Sequence, residues 1–256
     1  MTILRRRLLT GALGGGALLT LAGCDSVSDS PEVQDVLGRV EGLDRWLQRR
    51  LQGRDALARE FTAADISREF RANGSTSVDD PDYQRLAEGG FADWRLTVDG
   101  LVQRPLSLSL AELRAMPSRT QITRHDCVEG WSCIGQWSGV RLASILALAG
   151  LQPAARYVVF HCADTLERTL DNSGQYYESI DLIDAAHPQT ILAYDMNGAP
   201  LPVAHGAPLR VRVERQLGYK MAKYVMRIEV VDSFSSLGRG RGSFWADRGY
   251  EWYAGI

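Results

Sequence analysis

The amino-acid sequence predicts an α+β fold, a mixed β core with short helices around it. Three observations point there. Apolar residues make up 45% of the 256 residues, enough for one sizeable core within the usual range of a single domain. Apolar alternation begins at Trp94 and recurs toward the C-terminus, interleaved with short helical signals that keep no strict strand–helix–strand rhythm. Neither an internal repeat nor a G-x-G-x-x-G fingerprint is present, which argues against solenoids and dinucleotide-binding folds.

Taken in chain order, the first element is a leader. Arg5, Arg6 and Arg7 precede the uncharged run Leu8 to Gly23, the layout of an export signal. That run has 16 residues, against the roughly 20 that span a bilayer as a helix. The order R-R-R-L-L at Arg5 to Leu9 resembles the twin-arginine signal, which exports folded cargo. Leu21-Ala22-Gly23-Cys24 resembles a lipobox, with Cys24 as the acylated anchor; ordinary cleavage is the alternative. Residues 1–23 are therefore read as signal peptide and 24–32 as a polar tether. Residues 33–60 are read as an amphipathic helix, because Val33, Val36, Leu37, Val40, Leu43, Leu47 and Leu51 recur at helical spacing. The main folded domain is assigned to 61–256.

Within that domain, Phe61 to Asp82 reads as irregular backbone, and Phe70 to Thr76 within it as either a loop or a ligand clamp. Trp94, Leu96 and Val98 start a strand before the Asp99-Gly100 turn signal. Ser109 is the predicted N-cap of a helix ending at Met116 before Pro117. Strands are predicted at Thr120 to Arg124, Tyr157 to Cys162, Thr190 to Tyr194, Leu209 to Val213 and Lys223 to Val231. Helices are predicted at Val140 to Ala149, closed by Gly150, and at Asp181 to Ala186; Asn197-Gly198 is a predicted turn.

Charge and cysteine usage narrow the function. Without the leader the chain has 26 basic against 31 acidic residues, a formal charge of −5, which leaves no nucleic-acid footprint. Only two of the basic residues are lysines, Lys220 and Lys223, three positions apart. If Cys24 is lipidated, Cys127, Cys133 and Cys162 remain. An odd number in an oxidising compartment leaves at least one thiol without an intramolecular partner.

Two stretches carry chemistry. Arg124-His125-Asp126-Cys127-Val128-Glu129-Gly130-Trp131 precedes Trp137-Ser138-Gly139-Val140. A thiolate is a soft ligand favoured by nearby positive charge; on composition alone, a structural thiol or a Cys127–Cys133 disulfide also fits. The second stretch runs through His205-Gly206-Ala207-Pro208-Leu209-Arg210 to Gly218-Tyr219-Lys220-Met221-Ala222-Lys223. Its turns and cations suit a phosphorylated ligand, or a hairpin with solvated basic residues.

Together, the C-V-E-G-W and W-S-G-V blocks, H-G-A-P-L-R about 80 residues later and G-Y-K-x-x-K resemble the molybdopterin-binding domain of the sulfite oxidase family. The likeness is to the exported bacterial branch that includes the periplasmic methionine-sulfoxide reductases. The resemblance implies the sulfite-oxidase molybdopterin-binding fold and a molybdenum–molybdopterin (Mo-MPT) cofactor. It implies Cys127 as the metal's protein ligand, with the dithiolene of the pterin supplying the other equatorial sulfurs. It further implies Asn73, His205, Arg210, Met221, Ala222 and Lys223 as cofactor contacts, and Glu129 as an active-site acid. Cys162 stands where the reductase branch has a threonine, so it is either a contact or core. Arg124 and His125 either attract an anionic substrate or serve structure.

The implied reaction is two-electron oxygen-atom transfer, with a sulfoxide such as methionine sulfoxide as substrate. Oxidation of sulfite or another small anion is the alternative, and a non-enzymatic binding lipoprotein is the third reading. Because no C-x-x-C-H haem motif is present, electrons are expected to come from or go to another protein, and the resemblance to the reductase branch implies a membrane haem or cytochrome partner. A monomer is expected, anchored on the periplasmic side of the inner membrane.

Overall fold

The structure is a computed structural model that describes residues 46, 53, 55–170 and 174–256. The leader, the Cys24 tether and most of the helix expected over 33–60 lie outside the described residues; Trp46 is helical. Residues Gln52–Ile256 form one compact unit. The helix predicted to run to residue 60 does not reach it, because 55–60 hold no helical turn. Gln189 explains this: its side-chain amide accepts from Ala58 N at 2.8 Å and donates to Ala58 O at 3.0 Å. Glu60 then bridges to Thr123. These bonds satisfy locally the groups that a helical turn would have used.

Among the described residues, ten strands and four short α-helices follow. The strands are β1 (Arg95–Gly100), β2 (Leu106–Ser109), β3 (Ser118–Asp126), β4 (Ser132–Arg141), β5 (Tyr157–Thr165), β6 (Gln175–Asp181), β7 (Ile191–Met196), β8 (Ala199–Pro200), β9 (Arg210–Arg212) and β10 (Val225–Val231). The helices are α1 (Pro81–Glu88), α2 (Leu110–Ala115), α3 (Leu142–Ala149) and α4 (Leu182–Ala186). One sheet has the order β2-β1-β10-β5-β6, with β1 parallel to β10 and its other pairs antiparallel. The other has the order β3-β4-β7-β8, with β9 also on β7.

The main core contains Trp94, Leu96 and Val98 of the first predicted strand, and Phe160, Ile228, Leu142 and Ile145, all fully buried. A smaller cluster of Trp137, Ile191, Ala193, Met196 and Leu201 packs against Phe70. The capping prediction at Ser109 holds: Ser109 Oγ accepts from Glu112 N, and Glu112 accepts from Ser109 N at 2.7 Å.

Strands β2, β4, β6 and β8 and helix α1 depart from the sequence expectation, and for three of them the reason is physical. β4 continues through Arg141, so the helix predicted from Val140 begins at Leu142. A Cβ at Gly139 would lie 2.1 Å from Leu192 O, so glycine lets β4 approach β7 closely. The buried positions of β4 are Gly135, Trp137, Gly139 and Val140, and the two glycines hide its period-two signal. β6 escaped because its inward Glu178 is polar. That carboxylate pairs with Lys220, and both side chains are 0% exposed. α1 falls where irregular backbone was predicted to 82; Asp80 caps it by accepting from Tyr83 N at 2.8 Å, and Pro81 opens it.

Candidate functional site

The end of β3 and the start of β4 set Cys127 in a tight connection. Cys127 N donates to Trp131 O at 2.9 Å, Gly130 N to Cys127 O at 3.0 Å, and Gly130 takes φ +85°, a left-handed angle that glycine adopts without a Cβ penalty. Cys127 opens onto a cleft enclosing about 710 Å³ of empty space, its open mouth included. The strap Asn73–Ser75, the end of β5, the turn after Leu217 and a C-terminal segment form its other walls.

Of the predicted site residues, Asn73, Cys127, Glu129, Met221 and Lys223 line this cleft, whereas Cys162, His205, Arg210 and Ala222 do not. Cys127, Cys133 and Cys162 are all free thiols. Burial pushes the Cys127 thiol up, and the Glu129 carboxylate adds to that, against lowering contacts from the Glu129 and Val128 amides and from Arg71. Among the described residues no cluster of three His, Cys, Asp or Glu could hold a metal ion. A metal here would need Cys127 together with ligands from a cofactor.

The cation cluster beside the cleft tests whether such a cofactor fits. Arg210 is 0% exposed, donates Nη1 to His205 O at 3.1 Å, and leaves Nε and Nη2 without partners. Its neighbour Arg212 is paired at both nitrogens with Glu214, at 2.8 and 2.7 Å. Both guanidiniums lie over the Trp137 ring, at 4.8 and 4.4 Å. Burial and Arg212 push Arg210 down to about 9. His205 Nδ1, His125 Nε2 and Asn73 Oδ1 are likewise buried without partners. Unpartnered buried polar groups are costly; the free donors of a cation with no hydrogen-bonded carboxylate suit the anionic part of a ligand such as a pterin phosphate, and the Asn73 oxygen can accept from an N–H of the pterin. The residues present fit the group.

Lys223 has a different task from the one its charge suggests. Its Nζ donates to Asn73 O at 2.7 Å, to Ala204 O at 3.1 Å and, by a short bond, to Ser75 O. Burial and Arg210 push it down to about 7, but three carbonyl acceptors use all three N–H donors of the ammonium. Lys223 thus ties the strap to the turn before Gly206. Lys223→Met should free these carbonyls and raise amide exchange across residues 73–76 by at least about tenfold, as charged hydrogen bonds worth ~1.5–3 kcal/mol are lost. Hydrogen-exchange mass spectrometry would measure it, and unchanged exchange would refute the tie.

Arg124 and His125 each have a partner within the fold. Arg124 pairs with Asp126 at 2.8 Å. His125 is fully buried; its Nδ1 meets Arg212 Nη1 at 3.1 Å and so accepts, which places the proton on Nε2. Burial, then Arg212 and Arg210, hold it well below the usual histidine range. A Cβ on Gly218 would meet His125 Nε2 at 2.3 Å, so this histidine requires glycine there. Cys162 lies in the main core, with Sγ 3.8 Å from Phe160 O. Glu129 stands exposed at the mouth, accepting from Trp131 Nε1 at 2.8 Å.

His205 gives a pH dependence. Burial, then Arg210 and Lys223, push it down to about 4, while an unfolded histidine protonates near 6.5. The unfolded chain therefore binds more protons between those values, and stability falls as pH drops from about 6.5 toward 4. His205→Asn should remove part of the fall in Tm between pH 7 and pH 5; an identical fall would exclude His205 as its source.

Sequence reasoning gave no site role to Asp164, Leu166, Tyr176, Trp245 and Tyr250, which also line the cleft. Asp164 was visible two residues after Cys162. It is buried, accepts from the Ser75 hydroxyl and leaves Oδ1 unpartnered; burial raises its carboxyl. The aromatic residues carry no spacing signal, since they converge only through the fold.

Comparison with known proteins identifies the lineage. The sequence model of the oxidoreductase molybdopterin binding domain matches residues 84–237. A protein of Azospira oryzae, provisionally named protein-methionine-sulfoxide reductase subunit YedZ1, is 36% identical over 98% of this chain and 87% of its own length. The protein-methionine-sulfoxide reductase catalytic subunit MsrP of Xanthomonas axonopodis pv. citri is 31% identical over 89% of this chain and 70% of its own. The sulfane dehydrogenase SoxCD of Paracoccus pantotrophus aligns over 55% of this chain and 39% of that one, at 24% identity and a TM-score of 0.49. The chain belongs to the molybdopterin-binding oxidoreductase family and is a molybdenum-dependent oxidoreductase that carries Mo-molybdopterin.

Proposed function

We propose that this enzyme reduces neutral organic sulfoxides, methionine sulfoxide in proteins among them, with Cys127 as the protein ligand of molybdenum. The carrying observation is the character of the cleft. Among its lining residues the cation is Lys223, whose donors are taken by three carbonyls; the charged residues besides it are the carboxylates Asp164 and Glu129, and much of the remaining lining is aromatic or aliphatic. Sulfite is an anion and needs free donors; a sulfoxide is neutral and can settle among apolar groups. The names of the two relatives support the same substrate class.

The reaction breaks the S=O bond, consumes two electrons and two protons, and releases a thioether and water. When bound, the cofactor supplies two-electron redox chemistry at molybdenum. The chain's own residues do the rest. Arg210, His205 and Asn73 offer unpartnered polar atoms to hold the cofactor, Met221 and Ala222 offer backbone, and Glu129 at the mouth can pass protons inward from solvent. In this reading 61–256 is the catalytic domain, the twin-arginine leader exports it folded, and Cys24 anchors it on the periplasmic side of the inner membrane. Electrons then arrive from a membrane haem protein, and anchoring raises the local concentration of that partner.

The test uses protein purified after native export, assayed with a reduced dye as electron donor. About one molybdenum per chain, turnover of methionine sulfoxide and no oxidation of sulfite are expected. Sulfite oxidation without sulfoxide reduction would overturn the assignment.

A further inference from the structure

We propose that Trp245 and Tyr250, in the C-terminal segment, form an aromatic wall that grips the alkyl arm of the substrate and so sets selectivity among sulfoxides. This inference rests on the sulfoxide-reductase reading and goes beyond it, to which sulfoxides are preferred. Both residues line the cleft that Cys127 enters, and both lie outside residues 84–237, which carry the family match.

The wall is continuous. The Tyr219 and Tyr250 rings meet at 5.5 Å in an edge-on arrangement, and Tyr250 and Trp245 meet at 5.0 Å. Tyr250 remains 41% exposed and Trp245 is half-buried. Their segment is nevertheless fixed. Phe244 N donates to Tyr177 O at 3.0 Å, Tyr250 N to Trp245 O at 3.0 Å and Tyr219 Oη to Glu251 O at 2.7 Å. Asp247 accepts from Arg239 N at 2.9 Å, Arg241 N at 3.2 Å and Tyr177 Oη at 2.6 Å.

A rigid, exposed aromatic face at the mouth of an enzyme cleft is already ordered before a ligand arrives, so binding costs little rotamer freedom. Its chemistry favours polarisable sulfur and the C–H groups next to it, as in sulfur–aromatic contacts. Dimethyl sulfoxide has too little apolar surface to use the wall, whereas a methionine sulfoxide side chain or an aryl sulfoxide covers it.

The experiment compares the molybdenum-loaded full chain with Tyr250→Ala and Trp245→Leu, using dimethyl sulfoxide, methyl phenyl sulfoxide and N-acetylmethionine sulfoxide with a reduced dye as donor. Tyr250→Ala should raise KM for the two larger substrates by about fivefold to tenfold, leave KM for dimethyl sulfoxide within about twofold, and change kcat little. Binding of the product thioether N-acetylmethionine, measured by calorimetry, should weaken by a similar factor. Equal KM changes for small and large sulfoxides, or none in either variant with molybdenum retained, would overturn the wall. Wild-type protein that binds the thioether through Tyr250 but reduces no sulfoxide would keep the wall and overturn the reaction; protein that does neither would overturn both. Should Trp245→Leu disturb folding, Tyr250→Ala decides alone, since Tyr250 is the more exposed.

Discussion

Cys127→Ser is expected to lower sulfoxide turnover by on the order of a thousandfold or more while leaving the fold and its Tm nearly unchanged. The size follows from its proposed role, because a ligand that acts as one unit with the reacting centre loses most of the catalysis when removed. The small structural cost follows from its place: Cys127 sits in a connection, outside the core clusters, and its backbone bonds to Trp131 and Gly130 do not depend on the side chain. The other cysteines provide the contrast. Cys133 lies in β4 with its thiol 3.8 Å from Glu69 O, so Cys133→Ser should change little. Cys162 is 1% exposed in the main core, and Cys162→Ser should cost about 1–3 kcal/mol by burying a hydroxyl, with activity per folded molecule far less affected than in Cys127→Ser. Burial raises the Cys127 thiol, so metal uptake should also release a proton, which buffers of different ionisation enthalpy can detect by calorimetry. Full turnover in folded, molybdenum-loaded Cys127→Ser would remove Cys127 from the centre.

The way the sequence disclosed this site follows from what each part of the site is made of. The Cys127 connection and the His205-to-Arg210 turn were legible because glycine, proline and charged residues at fixed spacing are local constraints. β1 and α2 were legible because Leu96 and Val98 alternate and Ser109 and Glu112 form a reciprocal cap. β4 was not, since its buried positions are Gly135, Trp137, Gly139 and Val140, and β6 was not, since it buries Glu178 against a lysine 42 residues away. Lys223 is the instructive mixed case. Its presence near the site was readable, yet its three carbonyl partners come from the strap and from the turn before Gly206, and only the fold brings those together. The aromatic wall was hidden for the same reason: Tyr219 lies far in sequence from Trp245 and Tyr250, and no local pattern joins them.

Arg210→Met is the second change with a large expected effect, and it should move two measurements in opposite directions. Arg210 is a fully buried cation facing the like charge of Arg212, with two unpartnered donor nitrogens and one bond to a carbonyl. Without a bound anion it weakens the fold, and replacing it by an apolar side chain of similar length should leave the cofactor-free protein as stable or more so, by up to about 1–4 kcal/mol on the precedent of buried charges. With the cofactor the sign reverses. The same two donors would meet the phosphate, and their loss should cut retained pterin and molybdenum by at least about tenfold, since truncating a buried charge-assisted contact costs ~2–5 kcal/mol. Arg210→Lys should fall between the two, because a point charge restores attraction without the two-pronged geometry. Pterin content, read from the fluorescence of its oxidised form, and the Tm of the cofactor-free chain give both arms. If Arg210→Met lowered the cofactor-free Tm sharply while pterin content stayed at the wild-type level, Arg210 would be a structural cation held by Trp137, and the anion site would have to lie away from it.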